Sequence, residues 1–283
     1  MNFFRNFLAS FLGSITALIF IISLVFILIA GIASVASFDK NILSGEISSN
    51  SILNLDLDKD VYDNIPVTQE FEEILGVSPE IIKFLDLINV IELATENKDI
   101  KGINLKTQSP KMGWSQALTI RKSLQRFKDE GKFIYTYGDF FSQKGYYLAS
   151  VSDSIFLNPM GNIELRGLGA EVLYYKELQE KYGFKMEVIR HGKYKSAVEP
   201  YLDDKMSEAN RIQIRSLLNS IWGGIANQIK LSRRVSTENF NKIVDNLEAT
   251  LPLNALRNNI VDGIVSKTHY KQKVKRKLGI KPD

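Results

Sequence analysis

The sequence predicts an α/β protein, a largely parallel sheet covered by helices and preceded by one transmembrane helix. Three observations predict it. Short apolar strands alternate with amphipathic stretches of helical length, the pattern of βαβ units. No charge lies between Arg5 and Asp39, a run long enough to cross a bilayer. No segment recurs at a short period, which excludes solenoids and propellers.

The densest apolar stretch runs from Ile15 to Ala36. A helix of about 20 apolar residues spans a bilayer, whereas a cleaved leader has an apolar region of about 7–15. The expected division is therefore residues 1–14 as the cytoplasmic N-terminus and start of the anchor, 15–37 as the transmembrane helix, 38–50 as a polar linker and 51–283 as one folded domain. Arg5 and the amino terminus stay inside, and Asp39, Glu46, Asp56 and Asp58 lie near the other end, with Lys40 alone against them. The folded domain is then outside the cytoplasm.

The elements follow in order. Ser51–Leu57 alternates Ile52, Leu53, Leu55 and Leu57 with polar neighbours, a strand. Residues 58–78 are irregular and acidic. Ser78-Pro79 is a helix start, serine as the cap and proline at the first position, and the helix continues to Asn97. Gly102–Leu105 is a strand. Trp114–Lys128 is a helix with Ala117, Ile120, Leu124 and Phe127 on one face. Phe133–Tyr137 is a strand, Gly145–Ser150 a helix, and Ser154–Leu157 a strand closed by Asn158-Pro159. Leu173–Tyr182 is a helix ended by Gly183, and Phe184–Arg190 is a strand. Ser207 opens a long helix to about Ser232, and shorter helices complete the chain.

Composition removes several function classes. The net charge is +4, from 36 basic and 32 acidic residues, too balanced to call for nucleic acid. Part of the excess is Lys271, Lys273, Lys275, Arg276, Lys277 and Lys281, which read as a solvated helix face. With no cysteine there is no disulfide, thiolate metal site or thiol nucleophile. The two histidines, His191 and His269, cannot build a histidine-rich metal site. No glycine-rich phosphate loop follows a strand, and neither HExxH nor GxSxG occurs. No cofactor or metal is called for. The acid pairs Glu72-Glu73 and Asp203-Asp204 read as surface.

One segment is different. His191-Gly192-Lys193-Tyr194-Lys195-Ser196-Ala197-Val198-Glu199-Pro200 follows an expected strand, where α/β proteins place sites. A lysine acts as a general base only when burial beside apolar groups lowers its affinity for a proton. Lys195 has Tyr194, Ala197 and Val198 as neighbours, whereas Lys193 reads as solvated.

Tyr194–Tyr201 (YKSAVEPY) and the following DDKMSEANR (203–211) resemble the lysine motif of the signal peptide peptidase A family, membrane serine proteases with a Ser/Lys dyad. The resemblance extends to Gly102–Leu105, to 144–159 and to 161–183, and covers most of residues 50–275. It implies a fold like that of Clp protease and crotonase. It also implies degradation of cleaved signal peptides on the periplasmic side of a bacterial inner membrane. Lys195 matches the family's general base.

Two departures stand out. Where short members of the family carry the serine before a Gly-Tyr-Tyr stretch, register from Tyr146-Tyr147 places Gln143, with Ser142 one residue off. On a helix start one residue turns a side chain by about 100°. The glycine pair of the oxyanion loop is replaced by Ser109-Pro110-Lys111-Met112-Gly113, and proline has no N–H to give. Both losses match the N-terminal half of the family's long form, in which the first half supplies the lysine and a C-terminal domain the serine. The chain reads as a truncated or fragmentary piece of such a protein, inactive alone. Its expected partners are peptide substrates, the lipid bilayer, the serine-bearing domain and further copies of itself. Two other readings are a silent anchoring and assembly module, and a crotonase-like acyl-CoA enzyme sharing the fold alone.

Overall fold

The structure is a computed structural model that describes residues 2–40, 47–64, 81–189, 191–192 and 194–281. The helix start at Ser78-Pro79, part of the linker, most of the acidic stretch 58–78, Arg190 and Lys193 lie outside the described residues. The chain divides into two units, Met1–Ser48 and Ser49–Asp283.

The first unit is helix α1, Asn2–Lys40. Its stretch Phe3–Leu28 is a predominantly apolar, unburied span of 26 residues. At 1.5 Å per residue it is about 39 Å long, more than the hydrocarbon thickness of about 30 Å. The helix contains the whole of 15–37 and begins earlier, at Asn2. No polar residue interrupts the first turns except Arg5, Asn6, Ser10 and Ser14. The hydroxyls of Ser14 and Thr16 donate back to the carbonyls of Ser10 and Leu12 at 3.0 Å, so their polar groups are spent inside the helix.

The second unit holds a five-stranded parallel sheet in the order β1-β4-β5-β6-β7. The strands are β1 (Ser51–Asp56), β4 (Ile100–Lys106), β5 (Phe133–Phe141), β6 (Ser154–Ile163) and β7 (Gly263–Ile264). A separate pair joins β2 (Asp60–Tyr62) and β3 (Ile81–Lys83), also parallel. Parallel neighbours need long crossovers. Here α2 (Phe84–Glu96) precedes β4, α3 (Trp114–Asp129) links β4 to β5, and α4 (Gln143–Ala149) links β5 to β6. The expected face of α3 is the buried one: Ala117, Ile120, Leu124 and Phe127 are all fully enclosed.

After β6 the chain leaves the sheet. It forms α5 (Lys176–Tyr182), a 3₁₀ turn (Ser196–Val198), α6 (Glu199–Leu202), the long α7 (Glu208–Arg233), α8 (Thr237–Asp245), α9 (Pro252–Arg257), β7 and α10 (Lys267–Lys277). Ser207 caps α7, its Oγ accepting the Asn210 N–H at 3.2 Å. Arg121 on α3 is buried and bridges α4 to α7 through the Tyr147 carbonyl, Ser150 Oγ (2.9 Å) and Ser232 Oγ (2.7 Å). Burial brings its pKa down to about 10.

Three sequence expectations are corrected. Ile81–Lys83 is a strand, and the helix begins only at Phe84. β6 does not end at Asn158-Pro159 but runs to Ile163. The register between β5 and β6 breaks after Gly138↔Leu157 and resumes at Phe140↔Asn162, so Pro159 falls in the bulge, where no ladder N–H is required. Residues 184–189 form no strand, although Phe184, Met186 and Val188 alternate with polar neighbours as a strand would. Phe184, Met186 and Ile189 are exposed instead.

Candidate active site

The C-terminal ends of β4 and β5 are stitched together by their loops. The Gln108 side-chain oxygen accepts the N–H groups of Asp139 and Phe140 at 2.9 and 3.2 Å. The Gln108 carbonyl accepts the Ser142 N–H at 2.8 Å. Gly145 lies so close that an added Cβ would sit 2.4 Å from the carbonyl oxygens of both Thr107 and Gln108. Only glycine lets the first turn of α4 seat on this loop.

At that turn Ser142 is the cap of α4. Its Oγ accepts the Gly145 N–H at 3.1 Å. Gln143 is the first helical residue, and its carboxamide grips the segment that follows β6. Oε1 accepts the N–H groups of Arg166 (3.0 Å) and Gly167 (2.9 Å), and Nε2 donates to the Gly167 carbonyl at 3.0 Å. A serine hydroxyl carries its donor and acceptor on one atom at the end of a short arm, so it cannot span the three groups of this clasp.

The loop after β4 spends its polar groups on structure. The Ser109 N–H donates to Asp58 Oδ1 at 2.7 Å, Pro110 has no N–H, and the Gly113 N–H donates to Gln116 Oε1 at 2.7 Å. The Lys111 carbonyl accepts the Val61 N–H at 3.1 Å. The Lys144 ammonium donates to the Met112 carbonyl and lies 5.5 Å from the centroid of the Trp114 ring. Burial holds the Lys144 ammonium below the ordinary lysine range. An oxyanion loop needs N–H groups pointing into an open site. Here two of them are bonded to side chains and a third is missing.

Lys195 belongs to another part of the fold, immediately before the 3₁₀ turn that leads into α6, and it is exposed. Its neighbour Ala197 is exposed and Val198 half-buried, so among the described residues these two form no apolar enclosure around the lysine. What holds the segment is Glu199, 2% exposed. Its carboxylate accepts Ser207 Oγ (2.5 Å), the Ser207 N–H (3.3 Å) and Asn210 Nδ2 (2.9 Å) at the start of α7. A carboxylate at a helix N-terminus gains from the helix dipole. The lobe is completed from α5. The Tyr175 N–H donates to the Pro200 carbonyl (2.6 Å), Gln179 Nε2 donates to the Tyr201 carbonyl (2.8 Å), and the rings of Tyr175 and Tyr201 stack at 5.7 Å.

Ser142, Gln143 and residues 109–113 are thus brought together, and Lys195 stands on the α5–α6 lobe. Because 184–189 is not a strand, the lysine does not lie at a strand's end as its sequence position suggested. Sequence reasoning missed Glu199 and Lys144. The signal for Glu199 was an acid eight residues ahead of the Ser207 cap, inside the lysine motif. Nothing marked Lys144, whose burial depends on Trp114 from a different element.

Residues 126–281 match the family described as Peptidase family S49. The chain belongs to that family. Among curated relatives of this S49 chain, Protease 4 of Haemophilus influenzae is 32% identical over 240 residues, 82% of this chain and 38% of that protein. Protease 4 of Salmonella typhi is 31% identical over 207 residues, 69% of this chain and 33% of that protein. The chloroplastic serine protease SPPA of Arabidopsis thaliana is 31% identical over 144 residues, half of this chain and 21% of that protein. The chain therefore spans 33–38% of the length of the Protease 4 relatives it matches. Among solved structures, a mutant of the 1510-N membrane-bound stomatin-specific protease matches at 11% identity, with a TM-score of 0.43, over 80% of this chain and 84% of that one.

Proposed function

We propose that this chain is the lysine-bearing half of a membrane-anchored serine peptidase. Neutral Lys195 takes the proton from a serine supplied by a C-terminal domain, the serine attacks a peptide carbonyl, the C–N bond breaks as that proton passes to the leaving amine, and water then hydrolyses the acyl-enzyme. The observation that carries this reading is the clasp of Gln143 on Arg166 and Gly167, at the position where a single-domain member would hold its nucleophile. The engaged N–H groups of Ser109 and Gly113 support it, since they take two candidate oxyanion donors out of the loop. The lysine motif is retained within residues matched to the family. The exposure of Lys195 fits a group that a second domain would cover. Substrates are peptides, cleaved signal peptides among them, met on the outer side of the inner membrane.

The test is labelling with a fluorophosphonate, which reacts with an activated serine. The 283-residue chain alone remains unlabelled, and the two-domain protein is labelled at one serine beyond this segment. Labelling of Ser142 or Ser196 at one equivalent would sink the proposal.

A further inference from the structure

The charge of the molecule is concentrated in one place. Residues 267–281 carry seven basic and no acidic side chains, so the rest of the chain, with 29 basic against 32 acidic residues, is net negative. Most of this segment is helix α10, which buries Tyr270 and Val274 against Tyr137 and Phe156. Its cations flank that apolar stripe on both sides. Lys273 and Lys277 lie over the rings of Phe156 and Phe133, at 5.3 and 5.7 Å from their centroids. Lys267, Lys271 and Arg276 are exposed on the remaining surface, with Lys281 just beyond the helix.

A helix face meant only for water usually mixes signs, because Glu–Lys pairs four apart stabilise it and like-charge pairs at that spacing destabilise it. Here Lys267, Lys271 and Lys275 follow one another at that spacing, as do Lys273 and Lys277, with no acid between. The helix dipole accounts for the cations of the last turn, Lys275, Arg276 and Lys277, but not for Lys267 and Lys271 in the first. Such a face fits a partner of dense negative charge.

The position of the helix narrows the partner. In a parallel sheet all strands start at one edge. Phe133 is the first residue of β5, so Lys277 above it stands at the starting edge. Ser51 begins β1 at the same edge, through the register Ser51↔Ile100 and Gly102↔Phe133. Ser51 follows the last residue of α1, Lys40, by eleven residues, a reach of at most about 40 Å. The folded unit is joined through this linker to a helix long and apolar enough to cross a bilayer. Lys and Arg side chains held close to a membrane surface are attracted to anionic lipid headgroups.

We propose that α10 and the tail through Lys281 form a docking face for anionic phospholipid, holding the folded unit on the membrane surface that its own anchor crosses. This rests on the anchor reading and is independent of the peptidase chemistry.

The full chain is reconstituted into nanodiscs of neutral phosphatidylcholine, or of phosphatidylcholine with a third phosphatidylglycerol. Gln272→Cys introduces the single thiol of a chain that has none, and carries a fluorophore quenched by headgroup-attached nitroxide. Quenching is at least threefold stronger in the anionic discs, falls to the neutral level in 0.5 M salt, and is lost in Lys271→Glu/Arg276→Glu/Lys281→Glu. A circular dichroism melt confirms that this variant is folded, and incorporation into either disc reports the anchor separately. Equal quenching in the two discs, or quenching that survives charge reversal, overturns the proposal. Displacement of the lipid signal by equimolar single-stranded RNA would assign the face to nucleic acid. Salt-sensitive self-quenching in detergent without anionic lipid would assign it to a second copy of the chain. Either result also overturns it.

Discussion

Gln143 holds the backbone of Gly167 at both ends, accepting its N–H at 2.9 Å and donating to its carbonyl at 3.0 Å. The same oxygen takes the Arg166 N–H at 3.0 Å. Replacing Gln143 with serine therefore removes a structural clasp. Gln143→Ser should destabilise the folded unit by about 1–3 kcal/mol, the cost of leaving such groups unmet. Because the N–H groups of Ser109 and Gly113 stay engaged, the variant gains no turnover. Urea titration and a peptide-cleavage assay check both parts; measurable hydrolysis by Gln143→Ser alone would mean that the loop 109–113 can still open.

Glu199 sets the place of the lysine segment. Glu199→Ala leaves Ser207 and Asn210 without their acceptor and should cost about 1–3 kcal/mol, whereas Glu199→Gln retains an acceptor oxygen and should cost less. In the two-domain protein both lower kcat with little change in KM, because the segment that presents Lys195 loses its attachment to α7. An unchanged kcat in a folded Glu199→Ala protein would remove Glu199 from the account.

The pair Asp56–Lys106 joins β1 to β4 at 2.8 Å. Burial pushes the Asp56 carboxyl up, but the Lys106 hydrogen bond and charge outweigh it and hold the group below its ordinary value. The bond to Asp56 raises Lys106 in turn. A depressed carboxylate contributes stability above its unfolded value, near 3.8, and loses it as pH falls through the folded value. Lys106→Met should thus lower the urea midpoint slightly at pH 7 and not at pH 2. Half of Lys106 is exposed, so the effect is small. A difference that persists at pH 2 would assign it to lost packing instead.

The strands β4 and β5 and the helices α3 and α7 were legible because each obeys one period over its length. Ala117, Ile120, Leu124 and Phe127 repeat at helical spacing, and they are the residues that are buried. Periodicity failed where tertiary pairing decides. Ile81–Lys83 sits inside an apolar run that reads as helix, and becomes a strand because Asp60–Tyr62 lies alongside it. Phe184–Ile189 has the alternation of a strand but no ladder within the described residues. At the site, the motif around Lys195 and the substitution at Gln143 were visible as residues. The clasp itself was not, because Arg166 and Gly167 lie more than twenty positions away and reach Gln143 only through the β6 crossover.

The helix Phe3–Leu28 makes a membrane test direct. In spheroplasts, the orientation expected from Arg5 at the inner end has protease added outside digest residues beyond about 40. Protection of the folded unit, or a mature chain starting near Ser37, would overturn the anchor as oriented.

The central claim is that Lys195 is the general base of a serine held elsewhere. The most direct measurement is peptide cleavage by Lys195→Met and Lys193→Met in the two-domain protein, each with a thermal melt. Lys195→Met keeps the unbranched stem and removes the amine, so the fold should melt within about 2 °C of wild type while kcat falls by at least about a thousandfold, toward the upper range for loss of a general base. Lys193→Met, at the position just ahead of the motif, should keep most of its turnover. Near-normal turnover in Lys195→Met, or loss of turnover confined to Lys193→Met, would contradict the account.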